Sequence, residues 1–285
     1  MPEIRLLIDK VRLALKKRIN AKSHTSKSYA WWLAKGYNNT PEATIVLESH
    51  NKSLQIIHVV KMLRKNPRLE IIVIDDGSDL EHTRRLTEFL TGANEFLIRA
   101  NDLYENIMYN KTIRFASAPY IALLQDDDQF DSLDWITEAL QLFQQHPQMA
   151  ILGGCDALDM QFDDDKHFAN GKPYPHSEGF SFVPTVNRAP MWINKQLFTE
   201  YLHNIDYNYA PFQMDDYELC LRAWLNGLQV GWYDARFRSL SVGGMRLWNN
   251  AFTREQGQRN GARLYETYKD KMPEVYSKIP HSNPL

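Results

Sequence analysis

Compact apolar runs alternate with amphipathic stretches along the central part of the chain. Five runs have the length and the non-helical spacing of strands: residues 43–47, 71–74, 95–99, 120–124 and 149–153. Between them, apolar residues recur at three- and four-residue intervals, as at Ile56, Val59 and Leu63, which predicts helices. Because strands and helices alternate, we expect an α/β fold with a Rossmann-like, mostly parallel central sheet flanked by helices.

Three of the predicted strands end in polar clusters. Ser49-His50, Asp75-Asp76 and Asp126 to Asp128 each follow the last apolar residues of a run. Open α/β sheets bind ligands beyond the carboxyl ends of their strands, and carboxylates at that edge suit a hard cation and a phosphate. A solvated acidic turn is the alternative for the Asp triplet taken alone. The convergence of three polar clusters favours a binding site.

The chain beyond residue 154 has a looser pattern. Residues 156–188 contain glycines, prolines and a second acidic triplet, Asp163 to Asp165, which follows no buried strand. We therefore expect a long loop over the site and a solvated triplet. Strands are expected near residues 230–233 and 237–242, and the C-terminal segment is predicted to be helical to about Lys271 and then irregular.

A helix is predicted over residues 215–227. Asp215 and Glu218 have the spacing of a capping box, so we expect Asp215 to cap the helix. Asp216 then lies on the side of the apolar face, with its carboxylate directed toward the body of the protein. An inward-facing acid needs a partner or a task, because its burial is otherwise costly.

Composition limits the class of protein without naming it. The 285 residues, 44% of them hydrophobic, are enough for one large domain or for a domain with appendages. Cys155 and Cys220 lie far apart without a CxxC pattern, so neither a disulfide framework nor a zinc site is indicated. The sequence shows neither a transmembrane run nor a signal peptide, and we expect a cytoplasmic protein.

The charge is distributed unevenly. Residues 1–40 hold nine Lys and Arg against Glu3 and Asp9, whereas the net charge of the whole chain is −2. Apolar residues at helical spacing between Ile4 and Ile19 make residues 1–20 a basic amphipathic helix, followed by a linker. Two interpretations stay open: peripheral contact with an anionic membrane at its inner face, or packing on the body or on a second subunit.

Four motifs together resemble the family 2 glycosyltransferases of GT-A fold. They read TIVLESHN from Thr44, IIVIDDGS from Ile71, YIALLQDDD from Tyr120 and MDDYELCLRAW from Met214. The resemblance covers about residues 42–245. It implies a GT-A domain over residues 41–245, a basic helical arm and linker over 1–40, and a C-terminal helical extension over 246–285 packed on the domain.

The resemblance also implies roles for individual residues. It assigns a nucleotide-binding role to Ser49, His50, Asp76, Asn110 and Asp126. It places Mg²⁺ or Mn²⁺ on Asp126, Asp127 and Asp128, and it makes Asp216 the catalytic base. Gln125 stands where the family often has Asp, so either Asp126 and Asp128 form the metal-binding pair or Asp127 is the main ligand. The family's late metal-binding histidine is missing, and Ser241 or solvent is its expected substitute.

The resulting hypothesis is an inverting, metal-dependent transferase. It moves a sugar from a nucleotide diphosphate donor to a glycan or lipid-linked acceptor, with no nucleic acid as partner. A sugar-phosphate nucleotidyltransferase is the nearest alternative enzyme, but the sequence after the first strand lacks that class's glycine-rich phosphate loop. A non-catalytic nucleotide-sugar binding module is the third interpretation, and turnover separates it from both enzymes.

Overall fold

The computed structural model describes residues 10–12, 14–15, 34–239 and 250–280. By its internal contacts the chain forms two units. The first comprises residues 1–39 and 92–94, and within it Asn38 and Asn94 exchange two hydrogen bonds, of 2.8 and 2.6 Å. The second comprises residues 40–91 and 95–285 and contains every element named below.

The second unit alternates strands and helices in its first half. The elements are β1 (Ala43–Ser49), α1 (Ser53–Leu63), β2 (Leu69–Asp76), α2 (Leu80–Phe89), β3 (Glu95–Ala100), α3 (Tyr104–Phe115), β4 (Tyr120–Leu124), β5 (Asp128–Gln129), α4 (Asp134–Gln145) and β6 (Met149–Gly153). The second half contains β7 (Ala157–Asp163), β8 (Phe168–Pro173), β9 (Phe180–Phe182), β10 (Thr185–Val186), β11 (Met191–Asn194), α5 (Lys195–Leu197), α6 (Asp215–Leu225), β12 (Gln229–Tyr233), β13 (Arg238–Ser239), α7 (Ala251–Tyr268) and α8 (Met272–Lys278).

Eight strands form the central sheet, in the order β3-β2-β1-β4-β11-β6-β12-β9. Strands β3, β2, β1 and β4 run parallel, and so do β6 and β12, whereas β11 and β9 are antiparallel to their neighbours. Alternate residues of β1 and β4 enter two separate apolar clusters: Val46 and Leu123 lie in one, Leu47 and Leu124 in the other. Both faces of the sheet are therefore covered, which explains the continuous apolar runs.

The sheet brings the predicted polar clusters to one edge. In the parallel register Ser49 pairs with Asp75 of β2, and Leu47 pairs with Leu124 of β4. The residues that follow these positions, His50, Asp76 and Asp126, therefore leave the sheet on the same side. The predicted α/β class and the parallel pairing of the first strands are confirmed.

The long loop predicted over residues 156–188 is wrong. Strands β7, β8 and β10 form a separate antiparallel sheet there, and β9 joins the central sheet. The mixed composition of this stretch hid its strands, because β8 is exposed along much of its length and needs no apolar run. Asp164 and Asp165 are exposed in the β7–β8 turn, as expected for a solvated triplet.

Helix α7 lies against the small sheet and the start of α6. Gly261 allows this contact, because a Cβ at that position would lie 2.1 Å from the Phe168 ring. The segment after Lys271 is also helical, as α8, rather than irregular. The predicted strand at 237–242 is reduced to Arg238–Ser239 among the described residues, and Ser241 lies outside them. No helix in the described ranges is both long and apolar enough to cross a membrane.

Candidate active site

A cavity of about 810 Å³ opens between the end of β4, the start of α6 and the first turns of α7. Its lining includes five acidic residues: Glu105, Asp127, Asp128, Asp215 and Asp216. Three arginines also line it: Arg188, Arg238 and Arg254. The cavity thus brings together Asp127, Asp128 and Asp216 from the predicted site, although about 90 residues of sequence separate the triplet from α6.

The three acids after β4 have different surroundings. Asp126 is directed toward the β1 end, where its Oδ1 lies 3.0 Å from Nζ of Lys52 and its Oδ2 accepts a 3.4 Å hydrogen bond from the His50 amide. Asp128 lies at the start of β5, and its Oδ2 accepts a 2.8 Å hydrogen bond from the Gln125 amide. Burial raises the pKa of both carboxyls.

Asp127 lines the cavity and has one carboxylate oxygen without a hydrogen-bond partner among the described residues. Its Oδ2 accepts a 2.5 Å hydrogen bond from Ser239, while its Oδ1 is buried without a hydrogen-bond partner among the described residues. No group of three His, Cys, Asp or Glu side chains within the described ranges is arranged as a metal site. A cation held by one carboxylate oxygen together with substrate oxygens fits this arrangement, since Mg²⁺ commonly binds in that way.

Asp216 lies half-buried on the first turn of α6 and lines the same cavity. Burial raises the pKa of its carboxyl to about 6; Arg188 opposes that rise and Asp215 adds to it. A carboxyl with a pKa near 6 is ionised at neutral pH and basic enough to accept a proton.

Asp215 does not cap α6, contrary to the sequence prediction. Met214, with φ of +64°, occupies the N-cap position and no side chain caps the helix. Asp215 is fully buried, and its Oδ2 lies 2.7 Å from Nη2 of Arg188 and accepts a 3.1 Å hydrogen bond from Asn106. The capping-box spacing was misleading because a tertiary ion pair takes the carboxylate.

Glu218 has no capping role either. It binds Arg222, four residues along the same helix, at 2.7 Å, and it accepts a 2.8 Å hydrogen bond from the Tyr268 hydroxyl of α7. These contacts tie α6 to the C-terminal helix on the side away from the cavity, since neither Glu218 nor Arg222 is among the cavity-lining residues.

Asn260 of α7 fixes the loop that leads into α6. Its Nδ2 lies 2.9 Å from three carbonyl oxygens, those of Tyr209, Phe212 and Gln213. Gln213 and Met214 both adopt positive φ, a conformation that costs free energy for non-glycine residues. This role could not be predicted from the sequence, because an asparagine within a helix belongs to no recognisable motif.

Two of the predicted nucleotide-binding residues have structural partners. Both oxygens of Asp76 accept backbone hydrogen bonds, from Leu103 at 2.9 Å and Tyr104 at 2.8 Å, so this carboxylate caps α3. Asn110 is buried on α3 and exchanges hydrogen bonds with the backbone of Ile205. Asp76 and Asn110 are absent from the lining of the large cavity.

A second cavity, of about 500 Å³, lies beyond the ends of β2 and β3. Asp75, Ser78, Arg99 and Asn101 supply its polar lining. Asp75 is buried, and its Oδ1 has no hydrogen-bond partner among the described residues, while Oδ2 accepts from Thr83. In the Asp75-Asp76 pair, the residue that reaches this cavity is therefore Asp75.

Ser49 and His50 close the end of β1. Ser49 is fully buried, whereas His50 is half-buried and donates from Nδ1 to the carbonyl oxygen of Asp76 at 2.8 Å. The His50 amide also contacts Asp126, so the β1 turn joins the acidic triplet to the β2 end.

The sequence matches the family described as Glycosyl transferase family 2 over residues 44–225. The match covers more than half of the chain, and the chain therefore belongs to this family. No curated protein matches the chain by sequence.

Three examples represent the solved structures that resemble the fold. GalNAc-T7 with UDP, GalNAc and Mn²⁺ has a TM-score of 0.63 and 15% identity, covering 85% of this chain and 52% of that one. The mannosyltransferase PcManGT from Pyrobaculum calidifontis with GDP-Man and Mn²⁺ has a TM-score of 0.53, 10% identity and coverages of 90% and 83%. S. aureus TarS 1-349 with UDP-GlcNAc has a TM-score of 0.52, 12% identity and coverages of 84% and 82%.

These similarities identify the fold as GT-A, as the sequence predicted. The chain spans about half the length of the GalNAc-T7 structure that it matches. Sequence identities this low show that the fold is shared, and they do not show which substrate is used.

Proposed function

We propose that the protein is an inverting, metal-dependent glycosyltransferase that transfers a sugar from a nucleotide diphosphate donor to an acceptor hydroxyl. One observation carries the proposal: a single cavity is lined by Asp127, which has a carboxylate oxygen without a partner among the described residues, and by Asp216, whose pKa is raised to about 6. The first group suits a cation at the diphosphate, and the second suits a proton acceptor at the attacking hydroxyl. GDP-Man and UDP-GlcNAc in two of the similar structures, and UDP with GalNAc in the third, support this donor class.

Asp127 would hold Mg²⁺ or Mn²⁺ together with oxygens of the diphosphate. Such a cation neutralises the charge that develops on the departing diphosphate. Ser239 binds Oδ2 of the carboxylate, and Oδ1 has no hydrogen-bond partner among the described residues. Mn²⁺ in two of the similar structures supports this cofactor class. Asp126 would not be the main ligand, because its two oxygens already contact Lys52 and the His50 amide, and Oδ2 of Asp128 is bound by the Gln125 amide.

Asp216 would remove the proton of the acceptor hydroxyl. As the acceptor oxygen forms its bond to the anomeric carbon, the bond from that carbon to the diphosphate oxygen breaks and the electron pair leaves with the diphosphate. The hydroxyl proton passes to the Asp216 carboxylate. A single displacement of this kind inverts the anomeric configuration, and one base is sufficient for it.

The nucleoside part of the donor would occupy the smaller cavity beyond β2 and β3. Asp75 offers a buried acceptor oxygen there, and Arg99 offers donors. His50 lies at the neighbouring β1 turn, between this cavity and the acidic triplet. We therefore place the base near Asp75 and Arg99, and the ribose and diphosphate along His50 and Asp126.

The far wall of the large cavity would receive the acceptor. It combines aromatic rings with amide side chains: Phe168, Asn170, Phe212, Gln213, Tyr217 and Gln258. Amides donate and accept hydrogen bonds with hydroxyl groups, and rings cover the apolar faces of ligands. The Oε1 atom of Gln213 is buried without a partner among the described residues. This chemistry favours a glycan as the part of the acceptor that is bound, whether or not a lipid carries it.

The basic arm would bring the enzyme to an anionic membrane that carries such an acceptor. Within the arm, residues 10–12, 14 and 15 are helical and exposed, with Val11 51% and Leu15 54% accessible. An exposed apolar stripe beside basic residues is the pattern of an interfacial helix.

Donor binding and turnover test the proposal. Thermal shifts would be measured with a panel of UDP-, GDP- and TDP-sugars, with and without Mn²⁺; a ligand at 100 times its Kd stabilises by about 2.7 kcal/mol. The donor that binds is then incubated with a glycan panel, and release of the nucleoside diphosphate is followed in wild type and Asp216→Asn. Transfer by wild type alone supports the proposal. Binding without turnover on any acceptor would favour a binding module, and release of pyrophosphate from a nucleoside triphosphate and a sugar phosphate would favour a nucleotidyltransferase.

A further inference from the structure

We propose that Arg188 is a positioning residue for Asp216. Its guanidinium fixes the first turn of α6 through Asp215 and places a positive charge close to the neighbouring base. This inference rests on the proposed function, because it gives Arg188 a role in the proton transfer to Asp216.

Arg188 lies in the segment just before β11 and reaches the start of α6. Its side chain is 6% exposed, and its Nη2 lies 2.7 Å from Oδ2 of the fully buried Asp215. The guanidinium carbon lies 5.1 Å from the centre of the Tyr109 ring, and Asn106 donates a hydrogen bond to the same Asp215 oxygen. Asp215 is therefore held from two sides, and Asp216 follows it directly in the first turn.

The charge of Arg188 persists in this buried place. Burial by itself lowers the pKa of the guanidinium, but Asp215 and Asp216 outweigh that effect and raise it. A buried guanidinium is stable only beside carboxylates, and the two successive acids of α6 provide them. The same charge acts back on Asp216, whose pKa it lowers against the effect of burial.

The groups that face Asp216 come from several elements. Arg188 lowers its pKa and Asp215 raises it, and Tyr217 and Cys220 of α6 lie close enough to be affected by its charge. Glu105 of α3 lines the same cavity and acts on Arg188. Of the arginines in the cavity lining, Arg188 is the one that acts on the pKa of Asp216 among the described residues, while Arg238 pairs with Asp131.

Opposite charges on the two partners give opposite predictions for the pH profile. Arg188→Gln should move the acidic limb of kcat to higher pH by about one unit or more, because an opposite charge within a few ångströms lowers a carboxyl pKa by about 1–3 units. At pH values well below the acidic limb, each pH unit of upward shift lowers kcat about tenfold. Asp215→Asn should move the limb to lower pH. The KM for the donor should change little in both variants, because the diphosphate binds elsewhere in the cavity.

Two further variants separate positioning from folding. Each single variant, Arg188→Gln or Asp215→Asn, leaves a buried charge without its partner. We therefore expect each of them to destabilise the protein. The double variant Arg188→Gln/Asp215→Asn removes both charges, so we expect it to fold. Its acidic limb of kcat should still lie at higher pH than in wild type, but the shift should be smaller than in Arg188→Gln. Arg188→Lys keeps the positive charge, so its acidic limb of kcat should lie at the same pH as in wild type. Its kcat should be lower, because the planar guanidinium group is lost. Arg222→Gln/Glu218→Gln is the matched control, since it removes an Arg–acid pair from the same helix outside the cavity.

The experiment compares kcat against pH for these variants under saturating donor and Mn²⁺, together with the pKa of Asp216 followed by ¹³C NMR of the carboxyl. An upward shift in the double variant, with none in the Arg222 and Glu218 control, is the expected result. A double variant with the wild-type limb and the wild-type Asp216 pKa would overturn the inference and reduce Arg188 to a structural partner of Asp215. If no transfer by wild type is found, the proposed function fails, and the NMR titration still decides whether Arg188 controls Asp216.

Discussion

Ser239 donates a 2.5 Å hydrogen bond to Oδ2 of Asp127 across 112 residues of sequence. The contact is possible because Ser239 pairs with Asp128 in the two-stranded sheet of β5 and β13. Asp127 is thereby bound at one oxygen, and its other oxygen has no hydrogen-bond partner among the described residues. Both oxygens of Asp126 contact groups at the β1 end, and Oδ2 of Asp128 is bound within its own turn. The geometry thus distinguishes three adjacent carboxylates for which the sequence left two ligand assignments open.

Asp127→Asn should remove the response to metal. We expect kcat/KM with Mn²⁺ to fall by about 10²-fold or more, because a cation at the diphosphate contributes several kcal/mol in the transition state. The measurement is the rate of transfer as a function of Mn²⁺ concentration, after treatment with a chelator. Asp126→Asn is the comparison: it should weaken donor binding and keep most of the metal response. An Asp127→Asn enzyme with the wild-type response to Mn²⁺ would contradict the assignment.

Asp216→Asn should bind the donor and transfer almost nothing. A base that acts in the transition state contributes about 10²–10⁴-fold to kcat. In wild type, kcat should fall about tenfold per unit as the pH drops below the pKa of about 6, because the protonated carboxyl cannot accept a proton. Donor affinity by calorimetry and kcat from pH 4.5 to 8 provide the test. The assignment is wrong if the variant turns over normally, or if it fails only through loss of donor binding.

Asn260→Asp should disturb the entry to α6 without touching the cavity. The variant cannot donate to the carbonyls of Tyr209, Phe212 and Gln213, so we expect a loss of about 1–3 kcal/mol in the free energy of unfolding. Because this loop delivers Asp216, kcat should fall as well, with donor KM little changed. Urea unfolding and steady-state kinetics measure both effects. Asn226→Ala, which removes an exposed hydrogen bond at the other end of α6, should leave kcat unchanged.

Glu48→Gln should stabilise the protein increasingly as the pH rises. Glu48 is buried at the end of β1, both of its carboxyl oxygens lack hydrogen-bond partners among the described residues, and burial raises its pKa well above the ordinary value. A raised carboxyl pKa means that the folded state keeps a proton which the unfolded chain releases above about pH 4.3. The contribution of Glu48 to the free energy of unfolding is therefore fully present below that pH. It is lost as the pH rises toward the pKa of Glu48 in the folded state.

The check for Glu48 is the melting temperature of wild type and Glu48→Gln at pH 5 and pH 8. The difference in favour of the variant should be larger at pH 8. Glu88→Gln, at an exposed position on α2, serves as the control and should show no such trend. A variant that is equally stable relative to wild type at both pH values would show that Glu48 ionises normally.

Removal of residues 1–20 should abolish binding to anionic vesicles. Each basic residue near an anionic surface contributes about 1 kcal/mol, and the apolar stripe adds to this. Flotation of the full chain and of residues 21–285 with phosphatidylserine vesicles, at low and at high salt, is the measurement. Flotation of both proteins to the same extent would mean that the arm serves another partner, and neutral vesicles provide the control.

Part of the fold and of the site could be predicted from the sequence. The apolar runs predicted the parallel strands β1, β2 and β4, because a strand buried on both faces needs apolar side chains at every position. The residues after those runs predicted which acids lie at the carboxyl edge of the sheet. Helical spacing predicted the side of the helix on which Asp216 lies, whereas its role as the base was taken from the family resemblance.

Contacts between distant segments could be decided only by the tertiary structure. Asp215 looked like a cap because its local spacing is that of a cap, but Arg188 and Asn106, from other elements, bind its carboxylate. Asp76 looked free for a ligand, yet α3 places two backbone amides on it. Local sequence determines which residues are near a strand end or a helix turn. The partner of each carboxylate depends on which residues the fold brings within hydrogen-bond distance. That partner in turn determines whether the carboxylate is ionised and whether one of its oxygens is left without a hydrogen bond.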